Sequence, residues 1–208
     1  MNQDQIWSQR YRDAGEDYLF GTAPNRFLEH RADLLESGRK VISIADGEGR
    51  NSVWLAEQGL DVTAIEISAV AVQKARRLAR ARHVDVRFEQ VDMFAPDWPP
   101  AEFENAFDYV VGIFIQFVGP DLRPRQFDLL KRLSKPGGRL LLQGYTPKQI
   151  EYRTGGPSAV ENLYTADLLR EAFADWVIEE LVEYEDDIDE GLGHKGRSAL
   201  IGMVARKP

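Results

Sequence analysis

Apolar and polar positions follow two different periods along this chain. From residue 40 to 145, short β-type apolar runs are separated by stretches whose apolar residues recur at helical spacing. Val-Ile-Ser-Ile at 41–44 is the first run and ends in a glycine-rich turn. Residues 51–56 then read as a helix, with Gly59 just past its end. Val-Thr-Ala-Ile at 62–65 is the second run, and Ser68 is placed to cap a helix over 69–82. Residues 84–88 alternate apolar and polar as a half-buried strand does, and 107–115 is a long apolar strand candidate. A helix follows to about Leu133, Lys-Pro-Gly-Gly at 135–138 stops it, and 139–142 is a further buried run. Strand and helix in alternation predict βαβ units, and so a parallel sheet covered on both faces. The rhythm changes near the end. Residues 176–185 and 197–205 read as two strands with no room for a helix between them, an antiparallel hairpin at the sheet edge around the acidic, Gly-rich loop 186–196. Ahead of residue 40 the chain is polar with interspersed aromatics. There Pro24 is placed to open a helix with Phe27, Leu28, Leu34 and Leu35 on one face and Gly38 as its stop.

Composition narrows the class. The 208 residues suit one domain, and a 43% hydrophobic share is enough for a full core. The absence of cysteine removes disulfides, thiolate metal sites and cysteine nucleophiles together. A formal charge of −8 argues against broad binding to a phosphate backbone. No apolar run approaches the roughly 20 residues that span a bilayer, and the first residues lack the apolar core of a secretory signal. The expectation is a cytoplasmic protein that engages neither membrane nor nucleic acid, a monomer or weak homodimer.

The chemistry concentrates where the first apolar run turns. Open parallel sheets bind ligands beyond the carboxyl ends of their strands. The turn is Ala45-Asp-Gly-Glu-Gly-Arg-Asn51, in which Gly47 and Gly49 permit close approach to the backbone. Glu66 ends the second run 19 residues after Gly47, near the spacing at which an acidic side chain accepts from ribose hydroxyls. A dinucleotide fingerprint starting at Gly47 needs Gly or Ala where Ser52 stands. Asp46 and Glu48 would also confront a pyrophosphate with two carboxylates, whereas anion sites offer amides and cations. S-adenosylmethionine has no phosphate, and its sulfonium and ammonium groups are cationic, so an acidic turn suits it.

At 41–56, followed by Val-Thr-Ala-Ile-Glu-Ile-Ser at 62–68, the chain resembles class I S-adenosylmethionine-dependent methyltransferases, and among them the branch of tellurite-resistance and thiopurine methyltransferases. Phe-Gly-Thr-Ala-Pro-Asn at 20–25 resembles that branch's N-terminal segment. Lys-Pro-Gly-Gly at 135–138 matches the usual turn before strand five. Tyr-Thr-Pro-Lys-Gln at 145–149, Thr-Gly-Gly-Pro at 154–157 and Asp-Glu-Gly-Leu-Gly-His-Lys-Gly at 189–196 resemble its C-terminal half. The family often has an acidic residue at the position of Ser43, Gly at that of Ala45 and His at that of Gln116.

The resemblance implies an α/β fold: a Rossmann-like, seven-stranded, mostly parallel sheet of order 3-2-1-4-5-7-6, strand seven antiparallel, with helices on both faces. One domain over 1–208 would comprise a cap or lid at 1–39, a cofactor-binding core at 40–145 and substrate-side loops with the C-terminal hairpin at 146–208. Ala45, Asp46, Gly47, Glu48, Gly49 and Asn51 would line the S-adenosylmethionine site, the glycines passing beneath methionine and ribose. Glu66 would hold the ribose hydroxyls, Ile67 would pack on adenine, and Asp92, Met93 and Phe94 would meet the adenine edge. Gly112 would leave room for the methionine part. Tyr11, Tyr18 and Gly21 are the N-terminal candidates for the cofactor site, and the aromatics Trp7, Tyr11, Tyr18 and Phe20 would either close over it as a lid or cap the exposed end of the sheet.

Methyl transfer from a sulfonium needs positioning more than a base, unless the acceptor is a neutral hydroxyl. His194, in the Gly-flanked hairpin loop, Tyr145 after strand five and Gln116 after strand four are the acceptor-side candidates. His30 and His83 read as structural or solvated, and Lys74, Arg76, Arg77, Arg80 and Arg82 read as a solvated helix face. The functional expectation is methyl transfer to a small molecule, a soft nucleophile (a thiol or a selenium or tellurium oxyanion) being one candidate acceptor. S-adenosylhomocysteine would be the product. An NAD(P)-dependent oxidoreductase and a non-catalytic, S-adenosylmethionine-binding regulatory protein are the alternatives.

Overall fold

The computed structural model describes residues 2–191 and 193–208; Met1 and Leu192, the latter within the hairpin motif, lie outside the described residues. In chain order the elements are α1 (Gln3–Asp13), α2 (Arg26–Glu29), β1 (Lys40–Ile44), α3 (Arg50–Glu57), β2 (Asp61–Glu66), α4 (Ala69–Arg82), β3 (Arg87–Gln90), β4 (Phe107–Ile113), α5 (Arg123–Leu133), β5 (Ser134–Tyr145), α6 (Gln149–Tyr152), α7 (Ala166–Ala172), β6 (Val177–Glu190) and β7 (His194–Arg206). The strands form a seven-stranded sheet of order β3-β2-β1-β4-β5-β7-β6, the order the resemblance implies. No helix among the described residues is long and apolar enough to cross a membrane.

Two compact units divide the chain, the first of residues 1–98 with 190–193 and the second of 99–189 with 194–208. In the first, β1 pairs in parallel with β2, and β2 with β3. Helix α4 spans the predicted residues, and the Ser68 hydroxyl caps it by accepting from the Ala71 amide. Ala71, Val72, Ala75, Leu78 and Ala79 are buried, and Leu78 and Ala79 cluster with Val53 of α3. In the second unit, β4 pairs in parallel and β7 antiparallel with β5. The side chains of Val110, Leu140, Leu141 and Leu142 are fully buried, as a sheet covered on both faces requires.

Local boundaries differ from the sequence reading in four places, each for a physical reason. The helix expected from Pro24 is only the short α2: Asn25 caps its start by accepting from the Phe27 amide, His30 closes its end with its amide on the Arg26 and Leu28 carbonyls, and a 3-10 turn follows at Ala32–Leu34. Strand β3 starts at Arg87: His83 takes a left-handed conformation (φ 57°) and the Val84 amide closes the end of α4 on the Ala79 carbonyl. Residues 135–138 lie inside β5, with Gly137 supplying φ 79°. Both hairpin strands run on into the expected acidic loop, so His194 opens β7 and is buried.

Candidate functional site

In the first unit the turn after β1 is built on carboxylates. The Asp46 amide donates to the Ile65 carbonyl (3.0 Å), extending the pairing of β1 with β2 by one residue. The Gly47 amide donates to Glu66 Oε2 (3.0 Å) and the Ser68 amide to Glu66 Oε1 (2.9 Å). One carboxylate therefore clamps the turns that follow two adjacent strands. Burial raises the Glu66 carboxyl to about 7, and the nearby Asp46 charge pushes the same way. Asp46 accepts from the Ser43 hydroxyl (2.7 Å), the Ser52 hydroxyl (2.5 Å) and the Ser52 amide (3.3 Å), and burial raises its carboxyl as well. Ser52, the residue that breaks the dinucleotide fingerprint, is thus a working part of the turn.

Two glycines have no substitute here. A Cβ on Gly49, at φ 91°, would stand 2.7 Å from Ala75 Cβ, so its absence lets α3 and α4 close. A Cβ on Gly47, at φ 64°, would stand 2.9 Å from the Tyr11 hydroxyl oxygen. Ala45 takes a left-handed φ of 50°, a conformation that favours glycine.

Glu48 is buried. Its carboxylate accepts from the Leu19 amide (2.7 Å) and pairs with Lys74 (2.8 Å), both side chains being buried. The Lys74 ammonium also donates to the carbonyls of Tyr11 (2.9 Å) and Asp17 (2.7 Å). This corrects the solvated reading of Lys74: it is the hub that ties the N-terminal segment to the turn. Its spacing carried the signal, since Lys74 lies four residues from Val70 and from Leu78 on the inner face of α4. Tyr11 is buried and packs against Trp7 and Phe20, and the Tyr18 hydroxyl donates to the Lys74 carbonyl (3.2 Å).

Arg50, which the sequence reading passed over, pairs with Glu190 (2.7 Å), and both side chains are buried. The Asn25 side-chain amide donates to the other Glu190 oxygen (2.9 Å), and the Asn25 backbone amide donates to Asn51 Oδ1 (2.9 Å). Gly21 sits against Gly191, where a Cβ on Gly191 would fall 2.4 Å from the Gly21 nitrogen. Asp92 is exposed and accepts from the Phe94 amide (2.8 Å), Met93 is buried, and Ile67 and Phe94 are half-buried.

In the second unit, Gln116 acts as a surrogate strand partner. Its amide nitrogen donates to the Tyr145 carbonyl (2.8 Å) and its oxygen accepts from the Tyr145 amide (2.6 Å). Gly144 makes room for it, since a Cβ there would lie 2.6 Å from the Gln116 carboxamide carbon. The Phe114 ring stacks on Tyr145 (4.6 Å between centroids), and His194 meets both rings edge-on. Phe114 has φ 56°, strained for a bulky residue. Gly112 has a packing reason, as a Cβ there would stand 2.9 Å from Ile115 Cδ1. His30, His83 and Arg153 are exposed.

Residues 41–138 match the family described as a methyltransferase domain. A protein named Hemagglutinin 1 from Eikenella corrodens is 27% identical over 176 residues, covering 81% of this chain and 55% of its own length. Demethylmenaquinone methyltransferase from Thermus thermophilus is 30% identical over 136 residues, covering 59% of this chain and 60% of its own. The chain thus spans 55% and 60% of the length of these two relatives. Among solved structures, one described as "Conversion of a Disulfide Bond into a Thioacetal Group during Echinomycin Biosynthesis" aligns with a TM-score of 0.79 at 20% identity, covering 99% of this chain and 93% of the other. TehB from Haemophilus influenzae aligns with a TM-score of 0.70 at 20% identity, covering 99% of this chain and 67% of its own. The match to the methyltransferase-domain family thus runs from β1 into the start of β5, the part of the chain that carries the turn after β1 and Glu66.

Proposed function

We propose that this chain binds S-adenosylmethionine at the turn after β1 and transfers its methyl group to a small-molecule acceptor. The direction of the turn's amides carries the reading. Gly47 N–H and Ser52 N–H donate into the carboxylates of Glu66 and Asp46. A phosphate-binding glycine turn aims such amides at its ligand; here they are spent inside the protein on groups that repel phosphate. The charge that remains favours a cation.

The cofactor supplies a methyl group already activated on a sulfonium. In this reading Gly47 and Gly49 pass beneath its methionine and ribose, and Glu66 accepts from the ribose hydroxyls. Ile67, Asp92, Met93 and Phe94 meet the adenine. Ala45, Asp46, Asn51 and Gly112 complete the carried-over set, with Tyr11, Tyr18 and Gly21 on the N-terminal side. Glu48 acts at one remove, by holding Lys74 and the Leu19 amide.

For the acceptor we favour a soft nucleophile: a thiol, or a selenium or tellurium oxyanion. The sulfur chemistry named for the echinomycin structure supports that class. Of the acceptor-side candidates, His194 and Tyr145 present rings to Phe114, while Gln116 is a positioning residue for the Tyr145 backbone. The same reading puts the protein in the cytoplasm, apart from nucleic acid and membrane, as a monomer or weak homodimer. The formal charge of −8 speaks for the first separation.

Calorimetry with S-adenosylhomocysteine tests the assignment, with NADH titrated in parallel. Binding of the first and not the second is expected; no binding of S-adenosylhomocysteine at hundreds of micromolar refutes the reading, and NADH binding alone restores the oxidoreductase. A panel of thiols, tellurite, selenite and phenols then sorts the acceptors. With a thiol, the rate should follow the thiol's own ionisation as pH changes. A profile fixed to a group on the protein would speak for a neutral hydroxyl acceptor, and no turnover at all for a regulatory protein.

A further inference from the structure

Arg50 is the first residue of α3 and follows directly on Gly49, so its side chain starts at the turn assigned to the cofactor. Its guanidinium is buried. Nη2 sits 2.7 Å from Glu190 Oε2, but Nη1 is buried with no hydrogen-bond partner. A guanidinium offers its donors as a rigid fork, and buried donors of charged groups are rarely left unmatched. Glu190 satisfies one arm only. It is itself fixed by the Asn25 side chain, so the guanidinium is held in one orientation rather than free to swing. Asp46 lies close enough to feel the Arg50 charge, and a fixed anion and a fixed cation therefore stand together at this turn. The α-ammonium and carboxylate of an amino acid have the matching pair of charges. The N-terminal end of α3 adds partial positive charge on the same side as Arg50.

We propose that Arg50 is a cofactor-binding residue, and that its Nη1 edge takes the carboxylate of the methionine portion of S-adenosylmethionine while Nη2 stays on Glu190. This rests on the cofactor reading above and names the group that recognises the cofactor's acidic end.

The test compares binding of S-adenosylmethionine with that of its decarboxylated analogue, which lacks only the carboxylate, by calorimetry. The wild-type protein should prefer the intact cofactor by about 10-fold or more, the range for a charge-assisted hydrogen bond. Arg50→Lys keeps a cation for Glu190 but has one nitrogen instead of a fork. It should bring the two affinities together while leaving the thermal midpoint near the wild-type value. Glu190→Gln removes the counter-ion and leaves Nη1 in place; it should lower the midpoint and keep the preference. Equal affinity of the wild-type protein for both compounds overturns the proposal and leaves the cofactor reading standing. So does an undiminished preference in Arg50→Lys, or a preference lost as fully in Glu190→Gln as in Arg50→Lys. Failure of the wild-type protein to bind either compound overturns the cofactor reading itself.

Discussion

Ala45 occupies a left-handed conformation at the first position of the turn, where an L side chain crowds its own backbone. Ala45→Gly should stabilise the protein by about 0.5–1 kcal/mol, the relief of strain outweighing the extra freedom of the unfolded chain. Urea unfolding reads the change, and an unaltered or lower midpoint would show the turn to be unstrained. Glu66 gives a pH signature. Its folded form holds a proton more tightly than the unfolded chain does, so its stabilising contribution is complete below the ordinary carboxylate range and is lost as pH rises through about 7. The loss is on the order of 3 kcal/mol. Glu66→Gln should flatten that decline in a plot of unfolding free energy against pH. If Glu66 holds the ribose as proposed, the hydroxyls donate to its ionised carboxylate, so wild-type affinity for S-adenosylhomocysteine should weaken below pH 7, and the variant's should not. At this scale much was legible. Gly47, Gly49 and Glu66 announced themselves by type and spacing, whereas the role of Arg50 depends on a partner 140 residues away that no local pattern reveals.

Lys74 shows how an element acquires a second purpose. Helix α4 packs on α3 through small side chains, and in the same inner row it carries an ammonium group that gathers two carbonyls and a carboxylate. Lys74→Met should cost about 3–5 kcal/mol, because it strands the Glu48 charge in a buried place. Pairing it with Glu48→Gln should recover part of that loss, and a double-mutant cycle measures how much. The single variant should also hasten proteolysis within residues 1–25, which Lys74 ties down. If the same segment closes over the cofactor, adding S-adenosylhomocysteine to the wild-type protein should slow that cleavage; unchanged cleavage would mean that it only caps the sheet. The existence and type of the α4 and β4 elements were readable from periodicity, because long patterned segments leave little choice. The short α2 and the start of β3 were not. Local hydrogen bonds at Asn25, His30 and Val84 set those boundaries, which no periodic pattern marks.

For the whole molecule, alternation of strand and helix predicted the α/β class, while the strand order followed from the resemblance and not from the pattern. The site divided in the same way. Positions in the first unit that depend on backbone shape were readable. Those that depend on a partner far along the chain, such as Gln116 standing in for a strand beside Tyr145, were not. A formal charge of −8 predicts that duplex DNA or RNA is bound weakly if at all, with no useful affinity at physiological salt. Electrophoretic retardation at low salt checks this, and tight retention that survives added salt would contradict it.

The Arg50–Glu190 pair also bears on how the protein is made. Its members are 140 residues apart. At the pace of a ribosome, Arg50 emerges roughly 7–28 s before its counter-ion exists. Throughout that interval the nascent first unit lacks the anion that settles its cation, and it can reach its final form only when the tip of the hairpin arrives. Truncated chains that stop short of Glu190 should therefore occupy chaperones longer than their apolar content alone would suggest.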